Sequence, residues 1–108
     1  MTTMILGLIS CENKSEADAI GTHLLRKHLI GCMQIIEHVE SSFLWPPGKG
    51  TVDYANEALL LIKTLDSKWK QVETEVIKKH SYKNPEIVAL PTSHVSKNYF
   101  DWLTNELT

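Results

Sequence analysis

The sequence predicts an α+β domain built on a split β-α-β unit, and three observations predict it. Four stretches read as strands, by alternation of apolar and polar residues or by a short unbroken apolar run. Three others carry apolar residues at helical spacing. The order is strand, helix, strand, strand, helix, strand, helix, and the two central strands are joined by the turn Pro46-Pro47-Gly48-Lys49-Gly50, which makes them a hairpin.

Each element follows from its residues. Met4-Ile-Leu-Gly-Leu-Ile-Ser10 is a short, nearly continuous apolar run, as expected of a central strand covered on both faces. A helix follows, opened by the pair Asn13 and Glu16 or by Ser15 and Asp18. It carries Ala17, Ile20, Leu24 and Leu25 on its apolar side, and Gly31 is expected to close it in a left-handed conformation. From Cys32 to Trp45 the odd positions Met33, Ile35, Val39, Phe43 and Trp45 are apolar, so this is one long strand or a strand with a bulge. Thr51 to Thr64 is its return arm and ends in Ala58-Leu-Leu-Leu-Ile62. The second helix starts near Asp66 or Ser67, and Trp69, Val72, Val76 and Ile77 form its stripe, with His80 at its end. Glu86 to Leu90 is the fourth strand, stopped by Pro91. The last helix begins about Ser96 and buries Tyr99, Phe100, Leu103 and Leu107. The first six elements make the βαββαβ pattern of ferredoxin-like domains: an antiparallel four-stranded sheet with two helices on one face.

The 108 residues argue for one domain, 1–108, large enough for a core without disulfide staples. With 11 basic and 13 acidic residues the formal charge is −2, which supplies no electrostatic reason to expect nucleic acid or a membrane surface as partner. No apolar run approaches the roughly 20 residues of a membrane span. The first residues lack the charged lead and cleavage site of a signal peptide. Cys11 and Cys32 match no zinc or redox spacing and read as reduced thiols in a cytoplasmic protein; a secreted protein with one disulfide is the alternative.

The central hairpin has a further implication. A small sheet needs strands of about 5–6 residues, and each arm here runs to roughly twice that. The excess projects from the core and carries Phe43, Leu44, Trp45 and Tyr54. Such a ribbon exposes apolar side chains and unpaired edges, and burial against another subunit removes both problems. A closed, cyclic oligomer is therefore expected, with Phe43, Trp45, Tyr54 and Trp102 as its interface anchors.

Several segments together resemble the CutA divalent-cation tolerance family. They are Gly31-Cys-Met-Gln-Ile35, Ser42-Phe-Leu-Trp45, Glu57-Ala-Leu-Leu-Leu-Ile-Lys-Thr64, His80-x-Tyr82-x-x-Pro85-Glu-Ile-Val-Ala-Leu-Pro91 and Tyr99-x-x-Trp102-Leu103. The match covers essentially the whole chain. The resemblance implies a ferredoxin-like subunit in a tight homotrimer, similar in architecture to PII-type signalling proteins, and a role in tolerance to divalent cations with copper(II) bound in some members. Ile9 and Lys79 stand where some members carry a copper-associated cysteine and histidine, and His80 is kept.

Among the chemically capable residues, His80 and Glu86 are the sharpest pair, since a helix end favours imidazolium and a Pro85-stiffened connection brings Glu86 close behind. With Lys63 and Tyr82 they are expected to face one pocket, reached also by Trp45, for a small anion or metabolite. His80, Glu86 and Cys11 are the candidate ligands for Cu(2+) or another divalent cation. Cys11 lies near a helix start, which lowers a thiol pKa. The plainer reading is structural: His80 closes its helix and Glu86 pairs with Lys63. Cys32 reads as a packing thiol. His23 and His28 point to different helix faces, and His38 and His94 read as surface residues. No phosphate loop, nucleophile elbow or paired-carboxylate motif is present, so a binding protein is expected before an enzyme. Three readings of its role stand: a metal-tolerance trimer, a PII-like small-molecule sensor that signals through a partner protein, and, behind both, an enzyme using His80 as general acid or base.

Overall fold

The computed structural model describes residues 2–108. Its elements are β1 (Met4–Cys11), α1 (Lys14–Arg26), β2 (Cys32–Leu44), β3 (Val52–Leu65), α2 (Trp69–Lys79), β4 (Ile87–Pro91) and α3 (Lys97–Leu107). The strands form one antiparallel sheet in the order β2-β3-β1-β4, so β3 lies between the two strands that α1 connects. That is the split unit the sequence predicts.

Alternation decides what each sheet face meets. Ile9 and Cys11 of β1, with Ala58, Leu60 and Ile62 of β3, point to α1 and α2 and form the main core with Ala17, Ile20, Leu24, Val72 and Val76. Gly7 faces the same way. A Cβ there would lie 2.6 Å from Ile62 Cγ1 and 2.9 Å from the Trp69 ring, so glycine is what lets Trp69 close over the sheet. The stripes are narrower than the sequence suggests. Ile77 is 57% exposed and Leu25 37%, because each sits at the solvent shoulder of its helix.

Helix α1 opens on the expected pair. Asn13 accepts from the Glu16 backbone N–H at 2.9 Å, and Glu16 accepts in turn from the Glu12 N–H at 2.8 Å. Its other end differs from expectation. The helix stops at Arg26, and His28, not Gly31, takes the left-handed position with φ 57°. His28 N–H donates to Leu25 O and Leu29 N–H to Leu24 O, both at 3.0 Å, the pairing of a Schellman motif. The cause lies downstream: Leu29 and Ile30 are drawn into the core, so the chain must leave the helix early. Gly31 instead sits where a Cβ would collide with Leu103. At the start of α2, Asp66–Lys68 form a 3-10 turn that runs into the helix at Trp69, with no side-chain cap.

The long strand β2 is broken by a bulge between Ile36 and Val39, with His38 at φ 60°. Two residues, Glu37 and His38, oppose the single Ala58, so the alternation flips. Met33 and Ile35 pack on the helical side, while Val39 and Phe43 pair with Glu57 and Asp53, on the opposite face. The odd-numbered apolar positions of this stretch therefore do not share one face, as unbroken alternation would require. Pairing of β1 with β3 ends at Cys11–Ala58, whereas β2 and β3 continue to Leu44–Val52. Beyond Ala58 no strand among the described residues pairs with β3's other edge, and the molecule is 46 Å in its longest extent.

The second sheet face is only partly covered. At one end α3 packs Leu103 and Leu107 on Met4 and Leu65. The rest presents Leu6, Leu8, Leu59 and Leu61, half-buried, and Ile36, Val88 and Leu90, which are 47%, 42% and 45% exposed.

On the far side, α1 and α2 are clasped by Glu75. Its carboxylate meets His23 Nε2 at 2.8 Å, Lys78 Nζ at 3.1 Å and Lys27 Nζ at 3.4 Å. Hydrogen bonds from His23, then Lys78 and Lys27, hold the acid at about 2, well below its ordinary 4.5. The folded pKa is depressed, so the clasp's contribution is complete above about pH 4.5 and fades as pH falls towards about 2. Urea unfolding at pH 5 and pH 3 should show this loss, and Glu75→Gln should show a shallower dependence over the same interval. An equal slope in the two proteins would contradict it.

Candidate functional site

Three element ends meet behind the sheet: Cys11 closes β1, Glu16 lies in the first turn of α1, and His80 caps α2. Their thiol, carboxylate and imidazole atoms all lie within 4.8 Å of one another, the one such group of three His, Cys, Asp or Glu donors among the described residues.

Each member is held by the fold. Cys11 is fully buried, and burial, followed by the Glu16 and Glu57 carboxylates, pushes its thiol up to about 12. This reverses the lowering expected from a helix start, because the thiol is shut off from solvent and the charges that act on it are the Glu16 and Glu57 carboxylates. Burial pushes the Glu16 carboxyl up, but hydrogen bonds from the Glu12 N–H and from Ser81 outweigh it and keep the group below the carboxylate range. Those contacts are 2.8 Å to Oε1 and 2.9 Å to Oε2. His80 Nδ1 accepts from the Tyr82 N–H at 3.1 Å, which leaves Nε2 to donate to Ser10 O at 2.6 Å. These two bonds fix the orientation of the ring between Ser10 and Tyr82. The His80 N–H also closes α2 on Val76 O at 2.9 Å.

Across the β1 backbone lies a groove of about 920 Å³, between the projecting ribbon and residues 82–86. Trp45, Tyr82 and Glu86 line it, and so do Phe43 and Tyr54. Ser10 Oγ donates to Glu86 Oε1 at 3.1 Å. The Tyr82 hydroxyl donates to Glu57 Oε2 at 2.7 Å, and burial, then Glu57, raises the phenol pKa.

Lys63 does not reach this groove. It pairs in register with Leu6 and Cys32, its Nζ donates to Gln34, and it lies 4.0 Å from Cys32 Sγ. Glu86 sits beside Ser10, four residues further along β1, about 13 Å away at the strand rise. The expected Lys63–Glu86 pair is therefore not formed. Glu86 also faces the groove rather than Cys11 and His80, and Glu16 takes the third position beside them. Trp102 lies on α3 beside Gly31, its ring 5.4 Å from Tyr99 and 40% exposed. Phe43 and Trp45 are 39% and 41% exposed, and Tyr54 73%.

Glu16 and Glu57 are the residues sequence reasoning missed. Glu16 was legible as a helix-capping acid, and nothing in the spacing reveals that its carboxylate also reaches Ser81. Glu57 precedes the apolar run of β3, and only its 8% exposure distinguishes it.

The family model described as CutA1 divalent ion tolerance protein matches residues 5–106. A divalent-cation tolerance protein CutA of Archaeoglobus fulgidus is 34% identical over 95 residues, covering 88% of this chain and 89% of its own length. A CutA homolog of Danio rerio is 30% identical over 101 residues, 94% of this chain; the chain spans 65% of that relative. The crystal structure of CutA1 from Oryza sativa superposes with a TM-score of 0.91 at 28% identity, covering 98% of this chain and 94% of that one.

Proposed function

The chain belongs to the CutA1 divalent ion tolerance family, and from that premise we propose that it is a homotrimer that takes up copper(II) or another divalent cation at Cys11, Glu16 and His80. The observation that carries this reading is the convergence of the three donor groups within 4.8 Å. Sulfur, carboxylate oxygen and imidazole nitrogen suit a borderline or soft divalent ion. The cation, as cargo, would displace the Cys11 proton and the hydrogen bond at whichever imidazole nitrogen ligates it, so uptake competes with protonation. The uncovered apolar sheet face and the one-sided ribbon support the trimer, since closed symmetry would bury both. Two free thiols support a reducing compartment, the cytoplasm. The relatives named above lend no support to the PII-like sensor alternative.

Calorimetric titration of the full chain with copper(II) and zinc(II) tests the site. Saturable binding is expected for at least one ion, with heat that changes with the buffer's protonation enthalpy. Affinity should fall by about tenfold or more in both Cys11→Ser and His80→Ala, as loss of a ligand demands at least the effect of losing a ligand's supporting partner. No heat with either ion, or unchanged affinity in both variants, would remove the reading.

A further inference from the structure

We propose, on the reading of Cys11, Glu16 and His80 as cation ligands, that Tyr82 and Glu57 are positioning residues for that site, with Glu57 acting on His80 through Tyr82. His80 is the ligand that needs such support. It caps α2 with ψ 141°, and residues 81–86 beyond it belong to no helix or strand. Cys11, by contrast, is fixed by its strand and Glu16 by its helix. A ligand displaced by about 1 Å weakens a site even when every donor is present.

Tyr82 meets the imidazole in two ways. Its N–H donates to Nδ1 at 3.1 Å, and its ring lies 4.9 Å from the imidazole, centroid to centroid, tilted by 49°. The ring contact does not depend on which imidazole nitrogen takes the cation.

Glu57 ties Tyr82 down in turn. Its Oε2 accepts the Tyr82 hydroxyl at 2.7 Å. Burial, then Glu57, raises the phenol pKa, so the hydroxyl keeps its proton and remains a donor. Glu57 precedes Ala58, the register partner of Cys11, so by alternation its side chain leaves the opposite face of the sheet. The tether therefore runs from the helical face, where His80 meets Cys11, to an anchor on a central strand seen from the other face. Glu57 is 8% exposed and in no ion pair among the described residues. Withdrawing a carboxylate from water for one neutral hydroxyl adds little to stability. What the bond secures is the place of Tyr82, and with it the imidazole.

The test is calorimetric titration of the full chain with copper(II) and zinc(II), at a temperature where every variant is folded. Tyr82→Phe keeps the ring and the backbone N–H and loses only the hydroxyl. It should weaken binding by about tenfold, the effect of losing a ligand's supporting partner. Glu57→Leu should do the same. The double variant should bind no more weakly than the weaker single one, because both changes break one bond. Glu57→Gln keeps an acceptor for the hydroxyl and should bind more tightly than Glu57→Leu. In the metal-free chain the Tyr82 amide should exchange with deuterium about threefold faster or more in Glu57→Leu. A pair that only stabilised the fold would lower the unfolding midpoint and leave cation affinity unchanged. Undiminished affinity in Tyr82→Phe, losses that add in the double variant, equal binding by Glu57→Gln and Glu57→Leu, or unchanged Tyr82 exchange overturns the proposal. If Cys11→Ser is weakened in the same titrations, the cation site itself still stands. No saturable binding of either ion by the parent chain removes both.

Discussion

Replacing Val88 by glutamate is expected to turn the proposed trimer into a folded single chain. Val88 lies on the edge strand β4, in the row Val88–Leu8–Leu61–Gln34 across the open sheet face. It is 42% exposed in the single chain, so a carboxylate there keeps its water and should alter folding by no more than about 0.5 kcal/mol. In a closed assembly built on this face, the same carboxylate would enter an apolar contact in every copy. An unpaired charge buried that way costs several kcal/mol per ion. Light scattering should therefore report about one third of the parent mass, with the circular dichroism spectrum unchanged. A variant that keeps the full parent mass would show that assembly does not use this face, and a parent that is itself a single chain would sink the oligomer reading altogether.

The second large effect is on stability. Ile9→Ala should cost about 2–5 kcal/mol. Ile9 is fully buried on the strand that carries neighbours on both sides, in register with Leu60 and Ile87, under α1 and α2. Truncation leaves a cavity that the paired strands cannot collapse into, and the loss is a large part of the 5–15 kcal/mol typical of a domain. Urea unfolding at one chain concentration would measure it. Ile77→Ala is the matched control: the side chain is 57% exposed on α2 and should cost under about 1 kcal/mol. Equal losses in the two variants would contradict the assignment of the core.

The sheet and its helices were legible because alternation and helical spacing report burial directly, and burial is what orders these elements. Leu60, Ile62, Val72 and Val76 sit where their spacing puts them. The end of α1 was not legible. Gly31 is the residue local propensity prefers for that turn, but the pull of Leu29 and Ile30 into the core put His28 there instead. The site was partly legible. His80 and Cys11 come together as their positions at element ends suggest. Lys63 and Glu86 look close only while strand direction is ignored, since antiparallel pairing sends them to opposite ends. The thiol of Cys11 shows the same limit: a helix start nearby is visible in the sequence, whereas two carboxylates and the exclusion of water are properties of the folded neighbourhood.

The bulge at Glu37-His38 works as a gear change in the chain. Up to Ile36 the parity of β2 serves the helical layer. Beyond Val39 the same parity serves the groove, so one surplus residue reassigns Phe43 to a different task without altering its chemistry. Shortening the chain by that residue would return the outer ribbon to its original phase, swing Phe43 away from Tyr82 and Glu86, and empty the groove of an aromatic wall although every amino acid that built it was still present.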